Sequence, residues 1–277
     1  MIKINNLIHK YNKEEVLNID NLEIPNNTIT ALCGINGCGK STLLRILAGI
    51  FESNVLYNDE LIYENPNAKK DILFISDDPL SKITINEIKK FYYLMYNMDI
   101  TKFETYLELF EINKCGSLAT FSKGMRRRVY LCVALSVSPK VLLLDEAFDG
   151  LDLIAKQIFK KEIIKQIDDK DMIVIISSHA LKDIEDLSDN ILFIKNGKIT
   201  TENKLTKLSV CFNEEYNIND FKHKDIVGIE GNKKIFKIII SNKEVIDYFK
   251  EFNPIVLEID ELTYEEQFIY QNKEDTK

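Results

Sequence analysis

The chain is poor in the residues that would tie it to metal or disulfide chemistry. Among its 277 residues are three histidines and five cysteines. The cysteines, Cys33, Cys38, Cys115, Cys132 and Cys211, are odd in number, form no Cys-x-x-Cys pair and share no zinc-ligand spacing with histidine. Neither a disulfide framework nor a zinc site is indicated by this pattern, and reduced thiols in a cytoplasmic setting are expected. No run approaches the ~18 apolar residues of a spanning helix. The opening MIKINNLIHKYN also lacks the apolar stretch of a secretory signal. Any membrane connection is thus expected to come through a partner. Positive charge is in deficit as well, with 36 Lys and Arg against 44 Asp and Glu and a net charge of -8. That balance argues against a protein whose main work is neutralising nucleic-acid phosphates, so no nucleic-acid partner is expected. No internal repeat or low-complexity segment is found.

What is present suits one large domain and a small one, with 45% hydrophobic residues to fill their cores. Residues 1 to about 32 read as short strands joined by turns. The last of them, Ile29 to Cys33, runs into a glycine segment, and from Lys40 the stretch STLLRILAGI takes helical spacing at Leu43, Leu44, Leu47 and Ile50. A strand at 72-ILFIS-76 precedes a mostly helical region, about 85–138. Helix starts of the Ser/Thr-x-x-Glu form are predicted at 84-TINE-87 and 101-TKFE-104. Buried strands at 141-VLLLD-145 and 172-MIVIIS-177 flank a helix over 154–167, an order that means a parallel sheet covered by helices. A hairpin follows, turning at Asn196-Gly197. A boundary near 205 divides the chain into 1–204 and a small α/β appendage, 205–277. In the appendage a hairpin around Gly231-Asn232, a helix begun by 241-SNKE-244, a strand at 255-IVLEI-259 and a last helix begun by 263-TYEE-266 are expected.

The segment 33-CGINGCGKST-42 fits Gly-x-x-x-x-Gly-Lys-Ser/Thr through Gly34, Gly39, Lys40 and Ser41, with Gly37 between. Glycines let backbone N–H groups converge on phosphate oxygens, and the following helix points its positive end at them. Asn36, Gly37, Cys38 and Thr42 belong to the same cradle. Lys40 would reach the β- and γ-phosphates and Ser41 would ligate Mg²⁺. Read alone, the segment could be a chance glycine turn; a zinc reading of Cys33 and Cys38 wants two further ligands. The strand 142-LLLDE-146 supplies the acids: Asp145 is the magnesium candidate and Glu146 the general base for an attacking water. Without the cradle, the pair would read as a buried strand ending in solvated acids.

The chain resembles the nucleotide-binding subunit of an ATP-binding cassette (ABC) transporter over roughly residues 1–200. The segment 121-FSKGMRRRVYLCVAL-135 is similar to the family signature, usually LSGGQ followed by a basic helix. Ser122 and Gly124 keep the signature serine and second glycine, while Lys123 and Met125 depart from the common form as in separate-subunit exporter ATPases. The resemblance implies a P-loop α/β fold with an N-terminal antiparallel β part, a helical signature subdomain and a small C-terminal α/β domain. By the same resemblance, Tyr11 stacks on adenine and Asp152 of 149-DGLD-152 crosses a dimer interface. His179 of 177-SSHAL-181 contacts the γ-phosphate. Asp77 stands where the family places a glutamine that touches Mg²⁺, water and the membrane partner.

One cradle and one signature imply a head-to-tail dimer, with a second copy or a related ATPase subunit, enclosing ATP and Mg²⁺. The expected function is the ATP-hydrolysing motor of a membrane exporter, seated on the inner face of the membrane through a separate transmembrane permease. The competing expectation is a soluble ABC-type ATPase acting on ribosomes or DNA. Tandem cassettes or a long coiled-coil insertion would mark that class, and neither is found.

Overall fold

A computed structural model of the chain describes residues 1–76, 82–169, 171–200, 205–260, 262–263, 266–267 and 269–270. Two compact units are formed, Met1–Thr200 and Thr201–Lys277.

In the first unit, β1 (Ile2–Tyr11), β2 (Glu14–Ile24), β4 (Leu56–Tyr57) and β5 (Glu60–Leu61) make an antiparallel sheet in the order β2-β1-β4-β5. A second sheet has the order β10-β9-β3-β8-β7-β6, from β3 (Thr28–Cys33), β6 (Ile72–Ile75), β7 (Val141–Leu144), β8 (Ile173–Ser178), β9 (Asn190–Lys195) and β10 (Lys198–Thr200). Strands β9 to β6 run parallel and only β10 is antiparallel. Parallel strands are buried on both faces, which is why β7 and β8 read as unbroken apolar runs. The β9–β10 turn forms at Asn196 and Gly197, both at positive φ (49° and 73°).

Helix α1 (Lys40–Leu47) buries Leu43, Leu44, Ile46 and Leu47 in one apolar cluster with Leu32, Leu143 and Ile175 of the parallel sheet and Ile4 and Leu17 of the antiparallel one. The glycine loop is thereby fixed between two sheets. A short helix α2 (Pro66–Asp71) leads into β6. The helical region holds α3 (Ile85–Tyr96), α4 (Ile100–Leu109) and α5 (Lys123–Val137), and α6 (Leu153–Asp169) joins β7 to β8. The α3 start follows the sequence, since Thr84 and Glu87 exchange capping hydrogen bonds. The α4 start does not: Asp99, not Thr101, is the cap and accepts the Lys102 N–H at 3.0 Å. Starting earlier adds Ile100 to the first turn, and Glu104 is drawn to Lys89 instead of to the helix end.

The second unit is a three-stranded sheet, β12-β11-β13, of β11 (Thr206–Tyr216), β12 (Ile226–Ile240) and β13 (Val256–Asp260), with helix α7 (Val245–Lys250). The long β12 segment doubles back on itself: Ser241 N–H donates to the Asp225 carbonyl at 2.9 Å, and Lys233 sits at φ 51°. Its core is aromatic, with Phe212, Phe221, Phe236 and Phe249 all buried. The cap expected from Ser241 is not made; its hydroxyl donates to the Asp225 carbonyl, and α7 begins after Glu244. Thr263 and Glu266 do exchange capping hydrogen bonds.

Candidate active site

Topology brings the chemistry together before any side chain is considered. Strands β3, β8 and β7 are neighbours, and their registers pair Cys33 with Ser178 and Leu144 with Ile176. The glycine loop, the acids after β7 and the histidine after β8 therefore leave the same edge of the sheet, where ligands of open α/β folds bind.

In the loop, Gly37 and Gly39 take φ of 82° and 110°, left-handed conformations that a β-carbon disfavours. Gly39 is the N-cap of α1 and offers no side-chain cap. The amides of Lys40, Ser41 and Thr42 thus have no intrahelical acceptor and lie at the positive end of the helix. A Cβ at Gly34 would come within 2.4 Å of Cys38 Sγ and 2.8 Å of the Ile194 carbonyl oxygen, so the loop closes over its own first glycine. Burial pushes the Cys38 thiol pKa up, with Lys40 opposing; burial pushes that of Cys33 to about 12. Lys40 is buried, and its Nζ donates to the carbonyls of Gly34 (2.8 Å) and Ile35 (3.3 Å).

Glu146 joins this lysine to the histidine. Its Oε1 lies 3.4 Å from Lys40 Nζ, and its Oε2 accepts the His179 N–H at 3.2 Å and lies 2.8 Å from His179 Nδ1. Glu146 itself has φ 48°, unusual for a residue with a side chain. Asp145 is buried; its N–H donates to the Ile75 carbonyl at 2.9 Å, and its Oδ1 accepts the Ser177 hydroxyl at 2.7 Å. Lys40, Asp145, Glu146 and His179 form one connected constellation.

The donors present fit a phosphate chain: convergent helix-end amides, glycines where side chains would intrude, and a buried ammonium. They also fit Mg²⁺, because the Ser41 hydroxyl and the Asp145 carboxylate are hard oxygen donors. Among the described residues no group of three His, Cys, Asp or Glu could hold a metal by itself. Mg²⁺ is commonly held by one or two protein oxygens together with substrate phosphates.

Other candidates stand apart from this constellation. Ser122 is exposed and caps α5, its Oγ accepting the Met125 N–H at 3.2 Å. Gly124 packs on the neighbouring loop, where a Cβ would lie 2.5 Å from the Gly150 carbonyl oxygen. The same loop is tied down by Lys123–Asp149 and Arg128–Asp152 pairs. Tyr11, at the end of β1, is 41% exposed and meets His9 and Phe51 edge-on, at 5.1 and 6.0 Å between ring centroids. Asp77 lies outside the described residues.

Two residues escaped sequence reasoning. Ser177 bridges the two acids, donating to Asp145 and accepting the Glu146 N–H at 2.9 Å. Arg127 is 2% exposed and donates from Nη1 to the carbonyls of Asp145 (3.2 Å) and Ser76 (3.4 Å), linking α5 to the ends of β7 and β6. Its signal was available, because position 127 shares a helix face with the buried Tyr130, Leu131 and Ala134.

The chain matches the ABC transporter family over residues 17–149. It is 35% identical over 215 residues to the lantibiotic transport ATP-binding protein SrtF of Streptococcus pyogenes, spanning 73% of this chain and 90% of that relative. The ABC transporter ATP-binding protein YtrB of Bacillus subtilis is 23% identical over 284 residues and covers 97% of both chains. Among solved structures, a dimeric ATP-binding cassette in a post-hydrolysis state, bound to ADP and Pi, shares the fold. Its TM-score is 0.63 at 18% identity, over 73% of this chain and 98% of that one.

Proposed function

The chain belongs to the family of ABC transporter ATP-binding subunits, which are ATPases, and on that footing we propose that it is the motor of an exporter whose permease is a separate polypeptide. The observation that carries this reading is the convergence of Lys40, Glu146 and His179 at one sheet edge, with the signature serine exposed at another helix start. A site assembled in this way holds the nucleotide with one chain and offers its signature to another.

On nucleotide binding, Lys40 exchanges the Gly34 and Ile35 carbonyls for phosphate oxygens, and the α1 amides receive the phosphate chain. Glu146 orients a water molecule and accepts its proton as the water oxygen bonds to the γ-phosphorus and the bond to ADP breaks. His179, through Nδ1 and its backbone N–H, holds the Glu146 carboxylate for that task. Mg²⁺, held by Ser41 and Asp145, would supply neutralisation of the phosphate charge.

Tyr11 serves the adenine, while Ser122 and Gly124 serve the γ-phosphate held by a second copy or a related subunit. Contacts from both chains exist only while that phosphate is attached, so ATP closes the dimer and hydrolysis releases it. No helix among the described residues is long and apolar enough to cross a membrane. The proposed position is the inner face of the membrane, on the permease. Export is read from the Lys-Gly-Met signature, and similarity to a protein named for lantibiotic transport supports a role in transport.

Glu146→Gln tests both parts. With ATP and Mg²⁺ it should elute as a dimer while turnover falls about 10²–10⁴-fold; a variant that remains monomeric refutes the composite site. Captured from detergent-solubilised membranes, the same variant should bring down a multi-spanning protein. Recovery of ribosomes or nucleic acid alone would refute the transport reading.

A further inference from the structure

Ser177 has no accessible surface and lies one residue from the end of β8. The β7–β8 register, Leu144 beside Ile176, sets Ser177 level with the point where β7 gives way to the acids. Its hydroxyl has a single proton, and the 2.7 Å contact to Asp145 Oδ1 uses it. The oxygen lone pairs remain, and one receives the Glu146 N–H at 2.9 Å. Glu146 holds a left-handed backbone (φ 48°), a conformation that persists only when its surroundings impose it. The serine oxygen holds its N–H, while the Asp149 N–H donates to its carbonyl at 3.1 Å.

We infer that Ser177 is a positioning residue for ATP hydrolysis: one buried hydroxyl locks the Asp145 carboxylate and the Glu146 backbone into a fixed relation. The inference rests on the roles proposed above for those two acids. With Oδ1 of Asp145 engaged by serine, Oδ2 would be the oxygen more open to a metal and its water shell. Because the Glu146 amide is engaged, its side chain leaves the backbone in the direction that reaches Lys40 and His179. The two contacts are coupled, since a side-chain rotation that carries Oγ away from either acid releases the other.

The cradle does not depend on this hydroxyl, so binding and chemistry should separate. Ser177→Ala should bind ATP in EDTA within about twofold of wild type, measured with a fluorescent ATP analogue. The gain in affinity on adding Mg²⁺ should shrink. The kcat should fall roughly 10²-fold with little change in KM, the scale on which misplacing catalytic groups acts. Ser177→Thr, which keeps the hydroxyl, should restore kcat to within about tenfold of wild type. Ser177→Cys keeps the side-chain size but donates weakly, and should resemble Ser177→Ala. If alanine destabilises the fold, the comparison of threonine with cysteine still decides: turnover must follow the hydroxyl and not the volume. A cysteine variant as active as wild type, or an alanine variant with unchanged kcat and Mg²⁺ response, overturns the inference. Glu146→Gln measured alongside separates the two levels. If it is inactive while Ser177→Ala is not, only the serine assignment fails; if it turns over like wild type, the acid assignment fails and the serine assignment with it.

Discussion

Replacing Gly124 by alanine sets two physical effects against each other. Gly124 lies in the first turn of α5, and alanine is the better helix former there by up to about 1 kcal/mol. The added Cβ, however, would sit 2.5 Å from the Gly150 carbonyl oxygen, whereas ordinary van der Waals contact begins at 3.4 Å. The helix start and the loop must then separate by roughly 0.5–0.9 Å, an overpacking strain that usually costs about 1–3 kcal/mol. Escape is restricted, because Lys123–Asp149 and Arg128–Asp152 pin the loop on both sides of Gly150. Contact therefore outweighs propensity, with a net loss of about 1–2 kcal/mol and a Tm lowered by roughly 2–8 °C. Nucleotide affinity of the isolated chain should hold within about twofold, since the cradle is untouched, while turnover falls as the signature is displaced. Calorimetry, equilibrium binding and steady-state hydrolysis on the same preparation check all three. A further check is coupling: in an Asp149→Ala background the loop yields more easily, and the penalty should shrink by about 0.5–1 kcal/mol. A variant that melts at or above the wild-type temperature and hydrolyses ATP normally would show that the contact does not constrain α5.

Two other expectations concern titration. Burial raises the Cys38 thiol pKa whereas Cys115 is exposed, so iodoacetamide should label Cys115 first and Cys38 slowly, with ATP slowing Cys38 further; equal labelling of Cys38 with and without ATP, followed by mass spectrometry, would remove it from the cradle. The hydrogen bond from Lys123 holds the Asp149 carboxyl pKa below its ordinary value of 3.8. A depressed folded-state pKa means that the contribution is fully present above pH 3.8 and is lost as pH falls through the folded value. Carboxyl NMR should find Asp149 titrating below an ordinary aspartate, and Lys123→Met should move it back upward; no movement would show that the pair does not form in solution.

Much of the framework was legible because it depends on local pattern. Apolar runs at β7 and β8 announced a parallel sheet, and the switch to helical spacing after Lys40 announced the turn between β3 and α1. Thr84 and Glu87 were read as a cap and are one. Thr101 and Glu104 form the same sequence pattern but are not, because Asp99 reaches the helix end first and Lys89 attracts Glu104. A cap pattern specifies competence, and competition among neighbours decides its use.

From the sequence alone came the cradle, the acids, the histidine and the signature as types of chemistry at given spacings. The tertiary structure decided which of them meet. Strand order brought residues 40, 145, 146, 177 and 179 to one edge, although they come from three separate stretches of the chain. It also gave Ser177 and Arg127 their partners: helical spacing marks position 127 as inward-facing, but the carbonyls that it meets, and the acids that Ser177 meets, follow only from the packing. The physical reason is that backbone propensity and apolar periodicity act over a few residues. Hydrogen bonds between strand ends depend on register, which is set by the packing of the whole core.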